Sequence, residues 1–190
     1  MVTRKKGAKK IQFLSLEEGL KWPWNNAKRQ WYALWILLPI LGWFALGGYI
    51  KKILANVAKG DVSGLPEFGD FWQNLGAGFM LFLYLIPLAL LITLVGIIPW
   101  VGSIISFFAW IIVFPYMFIN VIVEDKFAAS FDFSKWWRVV IGHFAEYVIA
   151  FLKSFIFGIV YFVLSFVIVG IPGSIFGKNI FIADFYAKYP

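Results

Sequence analysis

His143, Glu146 and Lys153 fall inside or beside one apolar run, Arg138 to Gly170, where ionisable side chains are otherwise scarce. Helical spacing puts His143 three residues before Glu146 and within its reach. Lys153 follows two turns further on roughly the same face, too far for an i, i+4 pair. Ionisable groups at membrane depth are costly and face protein or water. The chemistry open to this trio is therefore a proton or ion relay, or a polar patch that binds a substrate inside a helical bundle. The competing reading is structural and simpler: His143 and Glu146 lie in the headgroup layer, and the Lys153 ammonium snorkels toward it at little cost. His143 also offers one imidazole as an axial ligand for a haem or chlorophyll metal. As the single histidine of the chain it excludes a bis-His haem held by this chain alone, and it leaves zinc short of ligands.

Nothing else completes a catalytic centre. Ser103, Ser106, Ser154, Ser165 and Ser174 lie in or near apolar segments with no second histidine to act as base. They suit back-bonding or helix contacts instead. The absence of cysteine removes disulfides, thiolate metal sites, thioester chemistry and attached c-type haem. No phosphate-cradling glycine loop occurs, and Gly76-Ala77-Gly78 has no strand before it. The expectation is a protein that is not an enzyme, with no catalytic residue, no metal and no cofactor.

The elements that hold these residues belong to a membrane. From Phe71 to Val123 there is no Asp, Glu, Lys, Arg or His. As one helix that run would be about 80 Å long against a hydrocarbon layer of about 30 Å, so it must turn and return. Hydrophobic residues make up 62% of the chain and mean hydropathy is +0.82, outside the range of soluble domains. The net charge of +7 does not point to nucleic acid, because eight of the seventeen Lys and Arg residues precede Trp31. That basic segment suits anionic lipid headgroups and places the amino terminus in the cytoplasm.

The expected fold is all-α: a polytopic helical bundle with four to five transmembrane helices and interfacial amphipathic segments. Residues 1–30 form a basic tail and a short interfacial helix, and 31–190 form one transmembrane domain. The spans are placed at about 31–50, 71–94, 103–123 and 146–170, with a shorter fifth at 174–188. Ser15 with Glu18, and Asp70 with Gln73, have the spacing of helix-start caps. Pro99 with Gly102, and Pro172 with Gly173, are expected to break helices. Pro87 and Pro115 should kink the spans that contain them. For the segment after Arg138, a shallow start to about Glu146 followed by a crossing, or one long tilted helix, are both open. Gly42, Gly47, Gly48, Gly76 and Gly78 read as points of close helix approach. A faint internal echo links Asp70-Phe71-Trp72 to Asp132-Phe133, and Val95 to Pro99 with Val169 to Pro172.

Three stretches carry a resemblance. Leu41-Gly42-Trp43-Phe44-Ala45-Leu46-Gly47-Gly48-Tyr49-Ile50-Lys51-Lys52, then Gly64-Leu65-Pro66-Glu67-Phe68-Gly69-Asp70-Phe71, then Gly76-Ala77-Gly78-Phe79 resemble the domain-of-unknown-function 4013 family of small multi-span membrane proteins. The most specific part is Gly-Tyr before a basic helix, followed by Leu-Pro-Glu-aromatic and an acid before the next span. Phe68 stands where the family often has Trp, and Gly69 where an acid is common. The resemblance extends from about Ser15 to the closing Ala183-Asp184-Phe185-Tyr186-Ala187. It implies a compact helical membrane domain and no assigned reaction, and it favours five spans over four. Lipid and other membrane-protein subunits are the expected partners. A structural or accessory subunit is the leading functional expectation, ahead of a small transporter or channel component and of a pigment- or haem-binding subunit using His143.

Overall fold

The computed structural model describes residues 14–166 and 170–190, which are helical with no strand among them. The basic tail Met1–Lys10 lies outside the described residues. Helix α1 (Leu16–Lys21) starts at the expected cap: the Ser15 hydroxyl accepts the Glu18 N–H at 3.1 Å, and the Glu18 carboxylate accepts the Ser15 N–H at 2.8 Å. A 3-10 helix, Ala27–Leu37, then leads to Pro39, and α2 (Leu41–Ala58) folds back on it.

The expected first span at 31–50 is thus two arms joined by a corner. Pro39 has no N–H to extend the helix, and Ile40 takes φ +64°. The Leu41 N–H closes a γ-turn on the Pro39 carbonyl at 2.7 Å. The same corner recurs where a break is expected, at Pro99: Trp100 has φ +62°, and the Val101 N–H donates to the Pro99 carbonyl at 2.7 Å.

A glycine stands three residues after each proline for a steric reason. A Cβ on Gly42 would sit 1.8 Å from the Trp35 carbonyl oxygen, and one on Gly102 would sit 2.1 Å from that of Val95. The following side chain, Trp43 or Ser103, donates to the carbonyl seven residues back, Ile36 or Gly96. This is the firmest internal echo. Asp70 and Asp132 do both cap helices, onto the N–H groups of Gln73 and Lys135. The echo of Pro99 in Pro172 fails, because Pro172 and Gly173 lie inside α7 (Gly170–Gly177). Proline is tolerated in a first helical turn, where its missing N–H has no partner to lose.

Helices α3 (Phe71–Gly96) and α4 (Val101–Glu124) form a hairpin about this second corner. Pro87 sits inside α3 without ending it, and a π-turn at Ala109–Val113 precedes Pro115 in α4. The left-handed Asp125 ends α4. The chain continues through a 3-10 turn, Phe127–Phe131, the short α5 (Phe133–Trp136), and a π-turn, Trp137–Ile141. His143 leaves helical geometry, so α6 (Phe144–Ser165) begins afresh. The run is therefore divided at His143, and is not one long helix.

The expected fifth span is split at Lys178-Asn179 into α7 and α8 (Ile180–Lys188). Nine residues reach about 14 Å, too short to cross. Ile180 to Tyr186 are all buried, so α8 is a core helix packed on α2, α4 and α6. Among the described residues three helices are long and apolar enough to cross a membrane, α3, α4 and α6, rather than four or five.

Glycine sets the α2–α3 approach. A Cβ on Gly48 would lie 1.9 Å from the Asn74 carbonyl, and one on Gly78 would lie 1.8 Å from that of Phe44. Gly47 meets only ordinary contact and Gly76 faces open space, so these two are not close-packing points. Past Leu88 the hairpin leaves the rest of the molecule. Ile92, Gly102 and Ser106 are buried between its own arms, while Leu94, Ile97, Ile98, Trp100, Val101 and Ile104 are exposed.

Candidate functional site

Lys153 and Glu146 come together as their spacing allows, and the structure adds a third group, Asp184 from α8. The three surround a cavity of about 40 Å³, with Phe181 on its wall. Asp184 is only 4% exposed, and its Oδ2 accepts the Leu14 N–H at 2.8 Å. The Lys153 ammonium donates to the carbonyl of the same residue, Leu14. Both backbone groups of Leu14 are therefore satisfied by one acid and one base, and the segment entering α1 is pinned to α6 and α8. Burial pushes the Asp184 carboxyl above the usual carboxylate range, against the pull of the Leu14 N–H and of Lys153. His143 stands apart. Its ring stacks on Tyr189 with centroids 3.7 Å apart, and Nδ1 lies 3.2 Å from the Val139 carbonyl.

A second assembly was visible only in pieces. The irregular chain between α2 and α3 presents four consecutive carbonyls, each bound by a side chain from elsewhere. Leu65 accepts from Asn26 and Arg29, Pro66 from the Tyr49 hydroxyl at 2.7 Å, Glu67 from Lys52 at 2.7 Å, and Phe68 from Asn74 at 2.7 Å. Tyr49 and Lys52 are one turn apart on α2, which is why both reach the same strand of backbone. Phe68 is buried among Tyr32, Trp35 and Tyr49.

A third network surrounds Asn120, which is fully buried. Its amide donates to the Ala129 carbonyl at 3.0 Å, and its oxygen accepts the Tyr186 hydroxyl at 2.9 Å. Lys135 donates to Tyr186 at 2.6 Å and to Glu124 at 3.1 Å. Burial alone would lower the Lys135 ammonium, but Tyr186 and Glu124 outweigh it and hold it above its ordinary value. An open apolar groove of about 350 Å³ runs between Pro115 and α6, with Lys178 and Asn179 at its edge. The buried Ser154 hydroxyl, which lines it, has no hydrogen-bond partner. Among the described residues no cluster of His, Asp or Glu could hold a metal ion.

The clamped Leu65–Phe68 backbone joins the stretches that carry the family resemblance, and a family model described as protein of unknown function, DUF4013, matches residues 32–170. The chain belongs to this family. The match takes in α2 with Tyr49 and Lys52, the clamped loop, the α3–α4 hairpin and α6. It leaves out α1 and α8, so the resemblance seen at Ser15 and at Ala183 to Ala187 lies beyond the matched residues. In this member of DUF4013, the Gly-Tyr and Lys stretch meets the Leu-Pro-Glu-aromatic stretch directly, Tyr49 donating to Pro66 and Lys52 to Glu67. Comparison with curated proteins and with solved structures found no match.

Proposed function

We propose that this chain is a multi-pass membrane protein that acts through contacts, as a structural or accessory subunit packing against other membrane proteins, and not by making or breaking bonds. One observation carries the reading. Lys153, with Asp184, Arg29 and Lys52, is spent on the protein's own backbone at Leu14 and Leu65–Phe68, while a large aromatic and aliphatic surface stays uncovered. Trp31, Trp43, Trp72, Trp100 and Trp137 are all exposed, as suits lipid interfaces or neighbouring subunits. The basic amino-terminal segment favours the cytoplasmic side and anionic lipid. Extraction in mild detergent followed by native gel electrophoresis tests this: migration with other subunits is expected, and migration as a lone monomer overturns it.

A second reading, a small transporter or channel component, draws on the repeated Pro-X-aliphatic-Gly corner, since internal repeats are common in transporters. Against it, the cavity among Glu146, Lys153 and Asp184 has room for about one water. A change in proton leak of reconstituted vesicles on Glu146→Gln or Lys153→Met would favour it. A pigment or haem metal held by Nε2 of His143 is a third reading, with Nδ1 against the Val139 carbonyl and Tyr189 stacked on the ring. A colourless purified protein disposes of it.

A further inference from the structure

Helix α6 has two apolar faces. The inner one, Tyr147, Ala150, Phe157 and Tyr161, is buried against the protein. The outer one, Ile149, Leu152, Ile156, Ile159, Val163 and Phe166, repeats at alternating steps of three and four and is exposed throughout. Hydropathy alone makes such a helix a membrane span.

Its neighbours contradict that. Near its start, Glu146 lies beside Lys153 and Asp184, and His143 stacks on Tyr189 next to Lys188. At its middle Lys153 holds Leu14. Near its end the Tyr161 hydroxyl donates to the Leu20 carbonyl at 2.7 Å and accepts from the Trp24 indole at 2.8 Å. Helix α1 thus runs alongside α6, with Leu14 opposite Lys153 and Leu20 opposite Tyr161. It carries the Glu17–Lys21 ion pair with both side chains more than two-thirds exposed, 77% and 71%. Glu146 and Tyr161 are fifteen residues apart, about 22 Å along the axis. An upright α6 would carry these polar neighbours through most of a hydrocarbon layer of about 30 Å.

We propose that α6 lies along one face of the membrane with its outer stripe sunk in a single leaflet. Only the α3–α4 hairpin penetrates deeply, and the charged segments before and after α6 share one side. The partner of the outer face is the acyl region of that leaflet, as for an interfacial helix. The uncharged corner Ile97 to Gly102 is the far end of the molecule. This rests on membrane residence, and the two can fail separately: release into the soluble fraction by alkaline carbonate sinks residence, whereas topology is read only in material that stays membrane-bound.

The chain has no cysteine, so single cysteines report position without background. Ser63→Cys, Lys126→Cys and Lys178→Cys place thiols at exposed sites between α2 and α3, after α4, and between α7 and α8. A membrane-impermeant maleimide added to sealed, oriented vesicles is expected to label all three from the same side and to leave Trp100→Cys protected. Because α7 folds back along α6, with Gly177 against Phe157, a crossing α6 would hold Lys178 near mid-depth, so protection of Lys178→Cys, or its labelling from the side opposite Lys126→Cys, overturns the proposal. Trypsin on the unaltered protein gives the same answer without a variant. Cleavage after both Lys126 and Lys178 in sealed vesicles is expected. Cleavage at one of them only, with the other appearing when the vesicles are ruptured, refutes it.

Discussion

Leu14 is held by its peptide group as well as by its buried side chain, and the peptide bonds set what Asp184 and Lys153 contribute. Losing the acceptor strands a buried N–H, which costs about 1–3 kcal/mol. Asp184→Leu should lower the melting temperature in detergent and expose the α1 segment to protease. Asp184→Asn keeps an oxygen for the Leu14 N–H and removes the charge. Because burial raises the folded pKa above the unfolded value of about 4, this carboxyl binds its proton more tightly in the fold. Its stabilising contribution is full below about pH 4 and is lost as pH rises through the folded value. The melting temperature of the unaltered protein should therefore fall across that window relative to Asp184→Asn, and parallel profiles would contradict the assignment. Glycine behaves as sharply at the α2–α3 contact. Gly48→Ala and Gly78→Ala drive a methyl into a backbone carbonyl and should cost about 1–3 kcal/mol or more. Gly76→Ala meets open space within a helix and should be neutral or gain about 0.5–1 kcal/mol. Thermal unfolding of the three variants in one detergent separates these outcomes.

Between elements, the loop from Gly64 to Gly69 is ordered by other people's side chains, so to speak: Asn26, Arg29, Tyr49, Lys52 and Asn74 all donate into it. Tyr49→Phe and Lys52→Met each remove one donor without changing the helix that carries it, at about 1 kcal/mol apiece. Both should speed proteolysis of the α2–α3 connection, and unchanged cleavage rates would show that the clamp does not restrain it. The caps at Ser15 and Asp70, the corner at Pro99 and the helix from Phe71 were legible because capping and proline geometry act over three or four residues. The corner at Pro39 was not. Its proline lies in an unbroken apolar run whose composition and length alone suit a crossing, and only the positive φ of Ile40 reveals the reversal. Asp184 was visible as a charge in a short apolar segment, but its meeting with Lys153 and Leu14 depends on contacts about 30 and 170 residues apart, beyond any local periodicity. Tyr186 and Asn120 were missed for the same reason, and the signal available was a buried amide near the end of an apolar helix.

For the whole molecule, the proposed membrane seat assigns separate parts to the distal hairpin and the body. Joining Leu88 to Ala109 through a short Gly-Ser turn should leave the body folded and monodisperse in detergent, because the removed segment is packed by its own arms. It should weaken retention against alkaline carbonate, and unaltered retention would show that the body alone anchors the protein. The body in turn depends on α8. This helix follows in the chain every element it holds together, and Ile180 to Tyr186 fill the space between α2, α4 and α6. During synthesis, then, the earlier helices pack around a vacancy, with Tyr116 and Tyr147 lacking Tyr186 and Phe185, the rings they meet in the finished protein. Assembly cannot lock until α8 has left the ribosome, and that interval is when a quality-control protease would find the chain most open.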